Sequence, residues 1–185
     1  MMLDTESVRV GFRHIEIKDN VVTLNGKRLI IRGINRHEHN YCTGRVMKRD
    51  DMIREILLMK CLNFNAVRTS HYPNCALWYE LCSQYGLCVV CETNLETHGL
   101  YSDLTNVPDW AESFLERARH MAQTFKNEPC IVAWSLGNES DIGPNHAAMA
   151  GWLRDFDPTR WVQYERGDSG KEITDIRCPM YPSVE

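Results

Sequence analysis

The polar side chains that could do chemistry fall in short clusters, each just past an apolar run: His37 with His39, His71, Glu96 with His98, Asn138 with Glu139, Glu165 and Tyr181. The sharpest is the stretch from Ile131 to Glu139, where buried-type residues end abruptly in an amide and a carboxylate. A carboxylate at the end of an apolar strand, with Trp134 shortly before it, sits half out of water, a setting suited to general acid work at neutral pH. A competing reading makes Glu139 a first-turn helix residue, with Asn138 as N-cap and Pro144 opening a helix a few residues on.

Glu96 and His98 share one face of an extended segment, because the side-chain period there is two. Together with Glu139 they would make an oxygen-rich site with one imidazole, suited to Mg²⁺ and poor for structural Zn²⁺; a solvated loop is the plain alternative. His37 and His39 form an H-x-H of the kind that holds metal in amidohydrolase-like barrels. A zinc set would have to draw in His71 and His98, and no lysine or aspartate stands at the expected later strand ends. Asn138-Glu139-Ser140 also matches the glycosylation triplet, but a glycan there would block the site, so the match reads as chance. Trp78 and Trp134 lie in apolar runs and read as core.

The elements that must position these groups alternate. Arg13 to Ile34 alternates apolar and polar residues, with Ile15, Ile17, Val22 and Leu24 on one face, and Asn25-Gly26 marks a hairpin. Leu29-Ile30-Ile31 reads as the first strand buried on both faces, running out into His37. Helices follow at Asp50–Leu62, with Met52, Ile53, Ile56 and Leu57 at helical spacing, and at Ala76–Tyr85, closed by Gly86. Two more are expected from Pro108 to about Phe125 and from Pro144 to Phe156. Strands are expected at Asn65–Arg68, Leu87–Cys91, Ile131–Leu136, Trp161–Glu165 and Ile176–Tyr181. Strand-helix alternation argues for an α/β fold with a parallel sheet. An open sheet would gather its polar strand ends at one switch point, whereas here nearly every strand end carries a candidate. That spread predicts a (β/α)8 TIM-type barrel, truncated to about six strands, since a full barrel takes about 250 residues. The expected division is 1–28 as a β-hairpin lead-in and 29–185 as the partial barrel.

Composition sets the outer bounds. With 185 residues, 43% hydrophobic and 25% charged, the chain is an ordinary one-domain globular length. A net charge of -4 with scattered basic residues offers no stripe for nucleic acid and no polybasic membrane patch. No leader-type N-terminus and no run of about 18 apolar residues is visible, which points to a cytoplasmic location. The eight cysteines lie mostly in apolar periodic segments and read as buried free thiols. Cys88 and Cys91 are three apart in a strand and face opposite sides, so they make no chelate.

Taken together, Asn35-Arg36-His37-Glu38-His39, Ser70-His71-Tyr72-Pro73-Asn74, Asn94-Leu95-Glu96-Thr97-His98-Gly99, Trp134-Ser135-Leu136-Gly137-Asn138-Glu139-Ser140 and Cys178-Pro179-Met180-Tyr181 resemble, in order and interval, the large bacterial β-galactosidases of glycoside hydrolase family 2. The resemblance runs from about Gly11 to Pro182. It implies a retaining glycosidase on a (β/α)8 barrel, cleaving terminal β-galactosyl residues, with Glu139 as acid/base and Asn138 on the sugar 2-hydroxyl. It further implies His37 and His71 as galactosyl-binding histidines, Tyr181 as an active-site tyrosine, Glu96, His98 and Glu139 as a Mg²⁺ site, and a homo-oligomeric full-length enzyme. The Asn-Glu-Ser ending resembles β-galactosidases more than β-glucuronidases, which tend to Asn-Glu-Pro. The family's nucleophilic glutamate comes from a seventh strand, so the expectation is that these 185 residues alone are inactive. Ser140-Asp141-Ile142-Gly143 departs from the family's usual Gly-His-Gly. A non-catalytic carbohydrate-binding barrel remains the alternative from another class.

Overall fold

The computed structural model describes residues 4–7, 9–166, 169–181 and 183. Residues 1–3, 182 and 185, at the ends of the expected ranges, lie outside the described residues. The first elements are β1 (Ile15–Lys18), β2 (Val21–Leu24) and β3 (Lys27–Arg28), paired antiparallel in that order. Both connecting turns have two residues at positive φ: Asp19 at 51° with Asn20 at 61°, and Asn25 at 52° with Gly26 at 75°. This geometry matches the twist of the flanking strands and is cheapest for Asn, Asp and Gly. The lead-in is therefore the expected antiparallel hairpin extended by a short third strand.

Six parallel strands follow: β4 (Gly33–Arg36), β5 (Ala66–Thr69), β6 (Cys88–Glu92), β7 (Ile131–Ser135), β8 (Trp161–Tyr164) and β9 (Ile176–Arg177). Each pairs with the next in chain order, so the sheet has no reversal and no switch point. This is a partial (β/α) barrel. Between the strands lie α1 (Arg49–Cys61), α2 (Ala76–Tyr85), the single turn α3 (Ser102–Thr105), α4 (Ala111–Phe125) and α5 (Pro144–Phe156). The helix expected from Pro108 begins as a 3-10 turn over Pro108–Trp110 before α4.

Two expectations are corrected. Leu29-Ile30-Ile31 is not the first barrel strand: the Leu29 N–H continues the small sheet by donating to the Val22 carbonyl at 2.8 Å. The Asn65 side chain then takes over, accepting from the Arg32 N–H and donating to the Ile30 carbonyl, both at 2.8 Å. Ile30 and Ile31 are left exposed, and the strand starts at Gly33. On α1 the inward residues are Met52, Ile56 and Met59, spaced four and three apart, while Leu57 faces outward. At the other end, Pro179 has no N–H to donate, and the last strand covers only Ile176–Arg177.

The main core lies between sheet and helices, where Trp78, Leu81, Val89, Cys91, Met121, Trp134, Met149 and Leu153 are essentially solvent-free. A second apolar cluster fills the barrel floor: Val132, Ala133 and Trp161 meet Cys88, Val90 and Ile176, and Ile15, Val22 and Leu29 of the small sheet cap it from below. Cys88 and Cys91 thus face opposite sides, as their spacing predicts. All eight cysteines are free; Cys82, Cys91 and Cys130 are buried, but Cys42, Cys61 and Cys75 are exposed, contrary to expectation.

One core group titrates. His146 on α5 is fully buried, edge-on to Phe114 and tilted over Tyr164 with centroids 4.4 Å apart, and neither ring nitrogen has a hydrogen-bond partner among the described residues. Burial pulls its pKa down from 6.5 to about 4. As pH falls the unfolded chain takes up this proton first, so the stabilisation present above pH 6.5 is lost between there and pH 4. The linkage amounts to about 3 kcal/mol. Thermal unfolding across this window should show a falling Tm that His146→Phe flattens; an unchanged slope in the variant would contradict the assignment.

Candidate active site

The site lies at the C-terminal ends of the parallel strands. After β7 the chain turns through Gly137 at φ 135°, where an added Cβ would sit 2.4 Å from the Leu95 carbonyl oxygen. Only glycine allows that approach. It lets the Asn138 N–H donate to the Leu95 carbonyl at 2.9 Å, so the segments after β6 and β7 pair at Glu96 and Asn138. Glu96, His98 and Glu139 are thereby gathered, with one ligand atom from each within 4.8 Å of the others. Two carboxylates and one imidazole are a donor set that suits a hard divalent cation. Among the described residues this is the only such group, and the histidine-rich zinc set of His37, His39, His71 and His98 is not assembled.

Glu139 is held from two sides. His98 Nδ1 pairs with Oε2, and the Tyr181 hydroxyl donates to Oε1 at 3.0 Å. That bond, and the charge of Glu139, raise the pKa of Tyr181. The neighbouring Asn138 is nearly buried and fully oriented: it accepts from Arg68 Nη2 on Oδ1 and donates from Nδ2 to Glu96, both at 2.9 Å. His98, Tyr101, Glu139, Glu165, Arg166, Met180 and Tyr181 line a cavity of 370 Å³. A second, of 430 Å³, opens beside it into the barrel interior and reaches Asn35, Arg68 and Glu165. A larger cavity of 790 Å³ lies under residues 9–13 at the opposite end of the strands, away from this chemistry.

His37 and His71 are brought together edge-to-face, with ring centroids 5.4 Å apart. The Tyr72 hydroxyl approaches His37 Nδ1 at 3.4 Å, and His71 Nδ1 bonds Glu92 Oε1 at 2.6 Å. Arg36 sets the loops that carry them. It is buried over the Trp78 ring and bonds Glu55 at 2.8 Å and Asn74 at 2.6 Å.

Sequence reasoning passed over the groups that orient these side chains. Glu92 is solvent-free at the end of β6, where its carboxylate meets the Arg68 guanidinium, His71 and the Ser135 hydroxyl, the last at 2.6 Å. Ser135 in turn accepts from Gln163 Nε2 at 2.6 Å. Glu165, noted only as a strand-end residue, is 3% exposed; its Oε1 accepts the Glu139 N–H at 2.5 Å. Burial raises its pKa, partly offset by that N–H. The available signal was a charge at or next to the end of a largely buried strand, Arg68 before Thr69 in β5 and Glu92 closing β6. Glu92→Ala would leave the Arg68 charge without its partner and should destabilise the fold by about 3–5 kcal/mol, read as a fall in Tm. Glu92→Gln keeps an acceptor oxygen and should lose less; equal losses would contradict this account.

Residues 15–185 match the family model described as glycosyl hydrolases family 2, TIM barrel domain. A β-galactosidase of Klebsiella pneumoniae (strain 342) is 54% identical over 186 residues, covering 100% of this chain and 18% of the relative. One from Photobacterium profundum is 53% identical over 184 residues, covering 98% of this chain and again 18% of the relative. The chain thus spans less than a fifth of the length of these relatives. Among solved structures, a Parabacteroides merdae β-glucuronidase with glycerol in its active site aligns with TM-score 0.82 at 27% identity, covering 96% of this chain and 24% of that one. A β-galacturonidase from Eisenbergiella tayi bound to galacturonate aligns with TM-score 0.74 at 27% identity, covering 85% of this chain and 29% of that one. This chain therefore belongs to the glycosyl hydrolases of family 2, as part of their TIM barrel domain.

Proposed function

We propose that these residues form the acid/base half of a retaining β-galactosidase site. The observation that carries this reading is the setting of Glu139: a carboxylate at a barrel strand end, between His98 and Tyr181, beside an amide whose oxygen and one N–H are already engaged. In this mechanism Glu139 protonates the departing glycosidic oxygen and later takes a proton from the attacking water. Asn138 has one amide N–H left over for the sugar 2-hydroxyl, where bonds strengthen in the transition state. His71 uses Nδ1 on Glu92, which leaves Nε2 for the galactosyl group beside His37. The relatives named β-galactosidase share 53–54% identity with this chain against 27% for the uronidases, which favours a neutral galactoside over a uronic acid.

Glu96, His98 and Glu139 would hold Mg²⁺, which when bound supplies positive charge beside the acid/base. A retaining site needs a second carboxylate about 5 to 5.5 Å away. The carboxylates lining the two site cavities are Glu139 and Glu165, and Glu165 is buried and committed to a backbone N–H. We therefore assign the nucleophile to a part of the barrel outside the described residues. The full enzyme is read as cytoplasmic, in keeping with eight free thiols, and as a homo-oligomer by its resemblance to the family. No helix among the described residues is long and apolar enough to cross a membrane.

The test is turnover of aryl β-galactosides by the complete polypeptide that carries this sequence. Glu139→Gln should cost about 10²–10⁴-fold on a substrate whose leaving group needs protonation. Chelation should lower activity, and added Mg²⁺ should restore it. Preference for an aryl β-glucuronide, or galactose binding without turnover, would overturn the proposal.

A further inference from the structure

The segment Asn138–Asp141 carries the acid/base through a backbone that L-residues rarely adopt, with Glu139 at φ 35° and Asp141 at φ 62°. Such a turn persists only when its surroundings over-determine it. One side is strapped by the neighbouring loops. The Ser140 hydroxyl donates to the Asn138 carbonyl at 2.7 Å and accepts the Thr97 N–H at 2.8 Å, and the Thr105 hydroxyl donates to the Ser140 carbonyl at 2.5 Å. The other side is held by two consecutive residues at the end of β8. The Tyr164 hydroxyl accepts the Ser140 N–H at 3.1 Å and donates to the Asp141 carbonyl at 2.8 Å, and Glu165 accepts the Glu139 N–H at 2.5 Å.

We infer that Glu165 is a positioning residue for the acid/base, fixing the Glu139 backbone through that hydrogen bond, with Tyr164 as its second point of attachment. The inference rests on the reading of Glu139 as acid/base. A carboxylate accepts an N–H more strongly than a neutral group does, and Glu165, although it lines both cavities, is only 3% exposed and has Oε1 turned onto the Glu139 N–H. Its second oxygen, Oε2, has no partner among the described residues, so an amide nitrogen at that place would disturb no bond shown here. The function needed of Glu165 is the oxygen facing Glu139.

A misplaced general acid slows only reactions that need a proton. The experiment therefore compares kcat/KM, in the complete polypeptide, for an alkyl β-galactoside and for 2,4-dinitrophenyl β-galactoside, whose leaving group departs unprotonated. Glu165→Leu should lose about 10²-fold on the alkyl substrate and stay close to the parent on the activated one. Azide, which attacks the anomeric carbon of the glycosyl-enzyme without general base help and displaces the enzyme carboxylate, should raise kcat on the activated substrate and release galactosyl azide. Glu165→Gln should recover most of the alkyl-substrate loss. Should Glu165→Leu not fold, Tyr164→Phe tests the same strap and should show a smaller loss of the same selectivity.

Equal losses on both substrates, or unaltered selectivity in Tyr164→Phe, would overturn the inference; so would abolition of activated-substrate turnover by Glu165→Gln, the mark of a nucleophile. Glu139→Gln serves as the control. If it lacks the leaving-group signature, the acid/base reading fails; if it shows the signature and Glu165→Leu does not, only the positioning role fails.

Discussion

The structure depends on a charge placed where water does not reach. Glu92 is solvent-free inside the barrel, and a buried carboxylate stays tolerable only with a counter-charge and full hydrogen bonding. Arg68 supplies the charge from β5, Ser135 a hydroxyl from β7, and His71 a ring nitrogen from the loop after β5. Gln163 extends the chain of bonds to β8. Side chains of four neighbouring strands, β5 to β8, are thus tied in one network. The same pair reaches the site twice, since His71 leans on Glu92 and Arg68 extends to Asn138. Orientation of the site groups and integrity of the barrel interior are one problem with one solution.

A close backbone approach does the rest. Gly137 against the Leu95 carbonyl leaves no room for a side chain, and the resulting bond from Asn138 to Leu95 zips together two loops that start on different strands. Glu96 and His98 come from one loop and Glu139 from the other, so the potential cation site exists only because those backbones touch. The interior is divided by level. Apolar side chains from the small sheet and the strand starts form a floor, and the polar network sits above it under the site.

Local physics made much of this legible in the residues. The extents of α2 and α5 follow from a glycine stop at Gly86, which takes φ 71°, and a proline start at Pro144. The apolar run Ile131–Leu136 predicts a strand, and every residue of β7 is buried. The two-residue spacing of Glu96 and His98 anticipates their shared face. Where local pattern misled, a non-local bond decided: Leu29-Ile30-Ile31 is apolar enough for a core strand, but Val22 and Asn65 hold its backbone elsewhere. Leu57 has the character of a core residue, yet the face of α1 that meets the sheet is set by Met52, Ile56 and Met59.

The sequence by itself determined the alternation of strands and helices, the parallel barrel, and the identity of the groups at the strand ends, because periodicity, turn chemistry and residue type are local properties. Only the tertiary structure decided which of those groups meet. That Arg68 serves Glu92 and Asn138, that Glu165 accepts the Glu139 backbone N–H, and that His37 joins His71 are contacts between residues 24 to 70 positions apart. Such contacts are selected by the fit of packed strands and the need to satisfy every buried polar atom. No spacing along the chain encodes them.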